Sequence, residues 1–196
     1  MPDGAATRTT PIAATLAAFA HGLRHGDIPD TARTRAKHLM LDALGIALAS
    51  TRHGFAAPIL RGITALGEGG SSPVIGHPVT LTPRNAALMN GALMHGLDFD
   101  DTHMQAIVHA TAFCLPTALA LAHETGADGT ELLTAYVAGL EGAIRVGIAA
   151  RGGFHHAGFH ATGIVAHFGA ALIAGRLYGL TVEQIAAAQG IALHEG

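Results

Sequence analysis

The densest group of reactive side chains is the stretch His95-Gly96-Leu97-Asp98-Phe99-Asp100-Asp101-Thr102-His103, with His109 close behind. It ends an otherwise apolar run through Ala86, Leu88, Gly91 and Ala92, and apolar helices rarely finish on so many polar groups. With helical geometry carried through the stretch, His95, Asp98 and Thr102 stand at i, i+3 and i+7 and share one face, and Asp98 and Asp101 are also three apart. That face offers an imidazole, a carboxylate and a hydroxyl together. A carboxylate beside a like charge, or partly buried, keeps its proton to higher pH. Such a group suits acid–base work, for example taking a proton from carbon next to a carboxylate. The plainer alternative leaves Asp100 and Asp101 solvated beyond a helix end, with His95 capping the last carbonyls.

A second cluster is Arg151-Gly152-Gly153-Phe154-His155-His156-Ala157-Gly158-Phe159-His160-Ala161-Thr162-Gly163, read as a glycine-rich loop entering a helix. A helix N-terminus directs free N–H groups and the positive end of its dipole at an anion, so His160 and Thr162 would stand at the mouth of an anion site. The alternative is a flexible loop with Thr162 as a simple N-cap. Fourteen histidines invite a metal reading. Yet the chain has neither His-Glu-x-x-His nor an adjacent His-Asp pair, so no metal is expected. The glycines match neither a phosphate-loop nor a dinucleotide spacing, so no cofactor is expected either.

The elements that must position these residues are mostly helices. Thr10-Pro11 reads as a cap and first helical proline before an apolar run from Ile12 to Leu23, closed by a break at Gly26. From Thr31 to Ser50, apolar residues at Ala36, Leu39, Met40, Ala43, Leu44, Ala47 and Leu48 repeat every three or four positions and predict one buried face. Between Gly67 and Thr82 the pattern changes to Gly-Gly-Ser-Ser-Pro with Val74-Ile75-Gly76 and Val79-Thr80-Leu81, a turn and short hairpin. Thr82-Pro83 opens the helix that runs into His95.

Asp128 with Glu131, and Thr181 with Gln184, are capping boxes that open two further helices. Gly179 closes the one from about Ala161 to Tyr178. In that helix Gly163, Ala166, Gly169, Ala170 and Ala174 form a small-residue stripe that lets a neighbour approach closely. The fold class is therefore mainly α with a short β-hairpin, and residues 1–196 read as one domain.

Composition limits the partners. Hydrophobic residues are 49% of the chain and charged residues 13%, so the chain folds and must leave apolar surface for a contact. The formal net charge is -3 and no Lys/Arg run occurs, which argues against nucleic acid. The single cysteine, Cys114, can make no internal disulfide and cannot hold an iron–sulfur cluster, which suits a reducing cytoplasmic setting. Cys114 beside Leu115-Pro116 reads as a packed small hydrophobe. The first ten residues lack the apolar run of a leader, and no later stretch has ~18 uninterrupted apolar residues, so no membrane span is expected.

Three motifs in order, Leu41-Asp42-Ala43-Leu44-Gly45, Asn90-Gly91-Ala92 through His103, and Gly158-Phe159-His160-Ala161-Thr162-Gly163, together resemble the MmgE/PrpD family from about Ile12 to Ala192. That family includes 2-methylcitrate dehydratase, cis-aconitate decarboxylase and an iminodisuccinate epimerase, which transfer protons on small polycarboxylates without an iron–sulfur cluster. The resemblance implies a large helical domain joined to a smaller α/β lid domain, with the site between them, in a homodimer. It implies catalytic roles for Asp98, His109 and His160 and substrate contacts for Thr102, His103 and Thr162. Family members often carry His-Pro where this chain has His109-Ala110 and His160-Ala161. They are also longer, with substrate-binding lysines in the part that follows, so the resemblance implies that these residues are the N-terminal portion of a larger enzyme and inactive alone. The other reading is a non-catalytic helical domain that keeps only the dimerisation surface.

Overall fold

A computed structural model describes residues 10–195; residues 1–9, which include most of the polar start read above, lie outside them. The order of elements is α1 (Ile12–Gly22), a 3-10 turn (His25–Asp27), α2 (Asp30–Ser50), α3 (Ala56–Thr64), β1 (Ser72–Pro73), β2 (Thr80–Leu81), α4 (Pro83–His95), α5 (Thr111–Thr125), α6 (Gly129–Ala149), α7 (Gly153–His156), α8 (Ala161–Leu177) and α9 (Val182–Glu195). The chain is mainly helical, with the short antiparallel hairpin expected from its turn residues, Ser72 pairing with Leu81 and Pro73 with Thr80.

The capping signals act as read. Thr82 Oγ1 accepts the Asn85 N–H ahead of Pro83. Asp128 accepts from the N–H groups of Thr130 and Glu131, the cap half of the expected box, while the Glu131 carboxylate pairs with Arg176 instead of closing it. Thr181 and Gln184 satisfy each other's backbone N–H groups, closing the full box. Gly179, at φ 65, takes the left-handed position that ends α8. At α1 the cap is Pro11 rather than Thr10, and no side chain caps it.

The helix α2 begins one residue earlier than the pattern suggested, and its buried face includes Ile46 and Ser50. Leu48 is 55% exposed. Four residues advance a helix by about 40° beyond a full turn, so the step from Leu44 to Leu48 leaves the face that Ala43 and Ala47 hold.

Three helices had no clear signal, the four-residue α7 among them. α3 is short, and α5 contains Pro116, which withholds an N–H from the carbonyl of Ala112. α4 lies close by: a Cβ on Gly91 would sit 3.0 Å from that carbonyl oxygen. The proline is therefore tolerated inside a helix where a neighbour packs over the gap.

The α6 and α8 helices cross where both carry glycine. A Cβ on Gly139 would stand 2.5 Å from the Ile173 side chain and 2.9 Å from the Gly169 carbonyl oxygen, while one on Gly169 would stand 3.2 Å from the Gly139 oxygen. Only hydrogen allows this approach, and the small-residue stripe of α8 is used for it. α6 is the one described helix long and apolar enough to cross a membrane, but half of its apolar stretch is buried inside the fold, as in a core helix. The largest buried cluster joins α2, α3, the hairpin, α4, α5, α6 and α8 through residues such as Met89, Leu93, Leu115, Tyr136 and Ile173. A smaller cluster of Ala106, Val108, Ala110, Ala143, Ile144, Ala161 and Val165 lies beneath the segment that links α4 to α5.

Candidate functional site: three imidazoles around a buried carboxylate

Helix α4 stops at His95. Gly96 caps it, and a Cβ there would overlap the Phe55 ring at 2.2 Å. Asp98 then takes a left-handed conformation, φ 56, so helical geometry does not continue and the shared face of His95, Asp98 and Thr102 does not form. The solvated reading of Asp100 also fails, because the turn carries this residue inward and its side chain is only 2% exposed. It meets His95 Nδ1 at 3.0 Å and His109 Nδ1 at 3.4 Å. Asp98 stays exposed at the start of the turn.

The rest of the linking segment is clamped. His103 N–H donates to the Val108 carbonyl at 2.9 Å, and the Ala106 N–H donates to His103 Nδ1 at 3.2 Å, which closes a tight loop. Ile107 within it has φ 54, a position that strains a β-branched residue by ~1–3 kcal/mol. The loop is held down from below, since Gly147 of α6 leaves room for Ala106 and a Cβ there would stand 2.9 Å from it. Asp101 accepts the first N–H of α5, from Thr111, at 3.2 Å, and Thr111 Oγ1 pairs with the buried Tyr136 hydroxyl at 2.7 Å. Burial holds the Asp101 carboxyl above its ordinary range, an effect that the bond from Thr111 only partly offsets.

From the other side comes α8. His160 is its N-cap residue, so Thr162 is not the cap. Thr162 is buried instead, and its hydroxyl accepts the His109 N–H at 3.1 Å, tying the two clusters together across 53 residues. The glycine-rich stretch before it is partly helical, with α7 framed by left-handed Arg151, Gly152 and Gly158.

The result is a group of three imidazoles. Ring centroids of His95 and His109 are 5.0 Å apart, of His95 and His160 5.8 Å, and of His109 and His160 6.3 Å. His95 and His160 face an apolar cleft of about 410 Å³ whose other walls include Leu88, Gly91, Phe113, Pro116 and Thr162. The bond to Asp100 raises the pKa of His95 above its ordinary 6.5, against desolvation, with the charges of Asp100 and Asp98 adding to the rise. His160 is lowered, first by desolvation and then by the neighbouring imidazoles of His95, His109 and His155. Environments that push two imidazoles apart in this way give one acid and one base.

Of the six residues assigned from the sequence, His109, His160 and Thr162 meet here, and Thr102 lies beside them with Oγ1 3.3 Å from His109 Nδ1. His103 lines a separate cavity of about 560 Å³ with Arg35 and Arg145, and Thr102 borders it too. Sequence reasoning missed the anchoring by Asp100. Helical spacing pointed to Asp98 instead, and nothing in the sequence marks Asp100 as the acid that turns inward. His95, Asp100 and His109 each bring a ligating atom within 4.8 Å of the others, so they are the described residues that could hold a cation. The hydrogen bond between His95 and Asp100, and that between His109 and Thr102, account for that closeness without one. Cys114 is fully buried, and burial pushes its thiol up, so it packs as the small hydrophobe expected.

The fold and site define a mainly helical domain with an apolar cleft bordered by His95 and His160, the first of them bonded to a buried carboxylate. Residues 14–196 match the model of the MmgE/PrpD N-terminal domain, and the chain belongs to that family. It is 29% identical over 187 residues to a cis-aconitate decarboxylase of Aspergillus terreus, covering 92% of this chain and 38% of that protein. To the cis-aconitate decarboxylase of Homo sapiens it is 31% identical over 192 residues, covering 94% of this chain and 40% of the relative. A cis-aconitate decarboxylase-like protein, oryM, of Aspergillus oryzae is 29% identical over 197 residues, 95% of this chain and 41% of its own length. The chain thus spans about two fifths of the curated relatives it matches.

Proposed function

We propose that the whole protein acts on a small polycarboxylate as a decarboxylase or dehydratase, by proton transfer without a metal or other cofactor, and as a homodimer. The observation that carries this reading is the meeting of His95, His109 and His160 beside a cleft of substrate size, on the segments that bear the family motifs. In either reaction a carbon next to a carboxylate gains or loses a proton. A neutral His160 at the cleft mouth serves as base, His109 shuttles protons, and Asp98 at the turn assists or positions substrate. Thr102 and Thr162 flank His109 and supply hydroxyls.

Replacing a positioned acid or base lowers kcat by roughly 100-fold or more. His160→Ala and Asp98→Asn in the whole protein are each expected to do so in an assay with cis-aconitate and 2-methylcitrate. Activity within a few-fold of wild type for both variants would show that the site is wrongly placed.

A second reading, a helical domain that keeps only a dimerisation surface, draws on two features. No Lys or Arg lines the cleft, although a substrate with two or three carboxylates needs fixed positive charge. Ile12 and Leu193 are exposed apolar residues that border one largely apolar cavity between α1 and α9, a surface suited to a partner. The 196 residues alone are therefore expected to show no turnover and an associated mass by light scattering. A clean monomer with measurable turnover would overturn both points.

A further inference from the structure

We propose that Asp100 is a positioning residue that grips His95 by Nδ1 and so leaves Nε2 of that ring, which borders the cleft, free for substrate. One hydrogen bond carries the inference. Asp100 stands 3.0 Å from His95 Nδ1, and its side chain is 2% exposed while the His95 ring is 33% exposed. His109 Nδ1 lies 3.4 Å from Asp100 but is hydrogen-bonded with Thr102 Oγ1 at 3.3 Å. A carboxylate accepts only, so His95 Nδ1 carries the hydrogen between them. The two nitrogens of an imidazole lie on different sides of the ring, so Nε2 of His95 points away from the buried acid. A ring held by one nitrogen and presented by the other has a fixed tautomer, which proton transfer requires.

The backbone is arranged to deliver this grip. The left-handed turn at Asp98 drives Asp100 inward to meet His95 at the end of α4, and Thr162 holds the backbone of the neighbouring His109 from α8. The groups facing the unit are known. His95 sees Asp98, Asp100, His109 and His160, and behind Asp100 a cavity of about 390 Å³ carries Arg35, His38, Asp42 and Asp101. The bond from Asp100 outweighs the desolvation of His95, so the pair favours a protonated ring.

This adds to the proposed acid–base chemistry a third ring, His95, and the residue that aims it, while the grip itself does not depend on which substrate is used. Nitrogen-15 NMR of histidine-labelled protein tests the grip without any turnover. Neutral His95 is expected in the Nδ1–H tautomer in the wild type and to lose that preference in Asp100→Ala. In the isosteric Asp100→Asn, which keeps the shape if the alanine variant does not fold, the His95 titration midpoint is expected to fall. The Nε2–H tautomer in the wild type, or an unmoved midpoint in Asp100→Asn, overturns the proposal. In parallel, Asp100→Asn is expected to lower kcat for cis-aconitate or 2-methylcitrate far more than it changes KM. A grip seen by NMR in a protein that turns over neither compound would sink the polycarboxylate reading and leave the grip standing.

Discussion

The two polar clusters are built in opposite ways. The segment between α4 and α5 is fixed from several directions: Asp100 is buried against two rings, Asp101 holds the start of α5, and Ile107 is kept in a strained conformation above α6. The stretch before α8 is exposed from His155 to His160, and its bonds run mainly within its own backbone, as from the Phe159 N–H to the Phe154 carbonyl. One cluster supplies a rigid wall. The other brings a single ring, His160, to the mouth of the cleft. A site made of a fixed wall and an open edge can hold its proton carriers in place and still admit a ligand.

Stability measurements break or sharpen this contrast. Asp100→Ala removes the acceptor of the His95 ring and is expected to destabilise by about 2–3 kcal/mol in urea unfolding, the worth of a hydrogen bond to a charged group. His160→Ala, at the exposed edge, is expected to change stability by no more than about 0.5 kcal/mol. Equal losses would mean that both clusters carry the fold. Thr162→Val keeps the shape but strands the His109 N–H, and about 1–2 kcal/mol is expected. No loss there would detach the two clusters energetically.

The pH dependence is a smaller effect with a definite sign. Because the folded pKa of His95 lies above the ordinary 6.5, its pairing with Asp100 stabilises fully below 6.5 and is lost as pH rises through the folded value. The lowered His160 behaves oppositely, its contribution being present above 6.5 and lost as pH falls through its folded value. Wild type is therefore expected to lose stability on the alkaline side of 6.5 and His95→Gln to lose less there, read from unfolding midpoints across that range. A wild-type curve that rises through the same window would reverse the assignment. The smallest effect expected is none: elemental analysis of the purified protein should find no stoichiometric zinc or iron, and a chelator should leave activity intact. Stoichiometric metal lost together with activity would make His95, Asp100 and His109 its first candidates.

Much of the fold was legible because its signals are local. Thr82-Pro83, Asp128 with Glu131, Thr181 with Gln184 and Gly179 each satisfy backbone groups within a few residues, so their meaning does not depend on what packs nearby. The same holds for the hairpin. The family motifs likewise pointed to both segments that meet at the cleft.

What the sequence alone determined was which polar segments meet at the cleft and most of the helices that deliver them; which acid lies inside was decided only by the tertiary structure. Asp98, Asp100 and Asp101 are one residue type within four positions, and helical spacing favoured the first. The choice fell to Asp100 because Gly96 lets α4 end against Phe55, the chain turns left-handed at Asp98, and α6 and α8 pin the loop beyond. These are contacts between residues far apart in the chain, and a short-range pattern has no term for them. α5 was obscured for the same reason, since Pro116 reads as a helix breaker until α4 is seen covering the carbonyl it leaves unbonded.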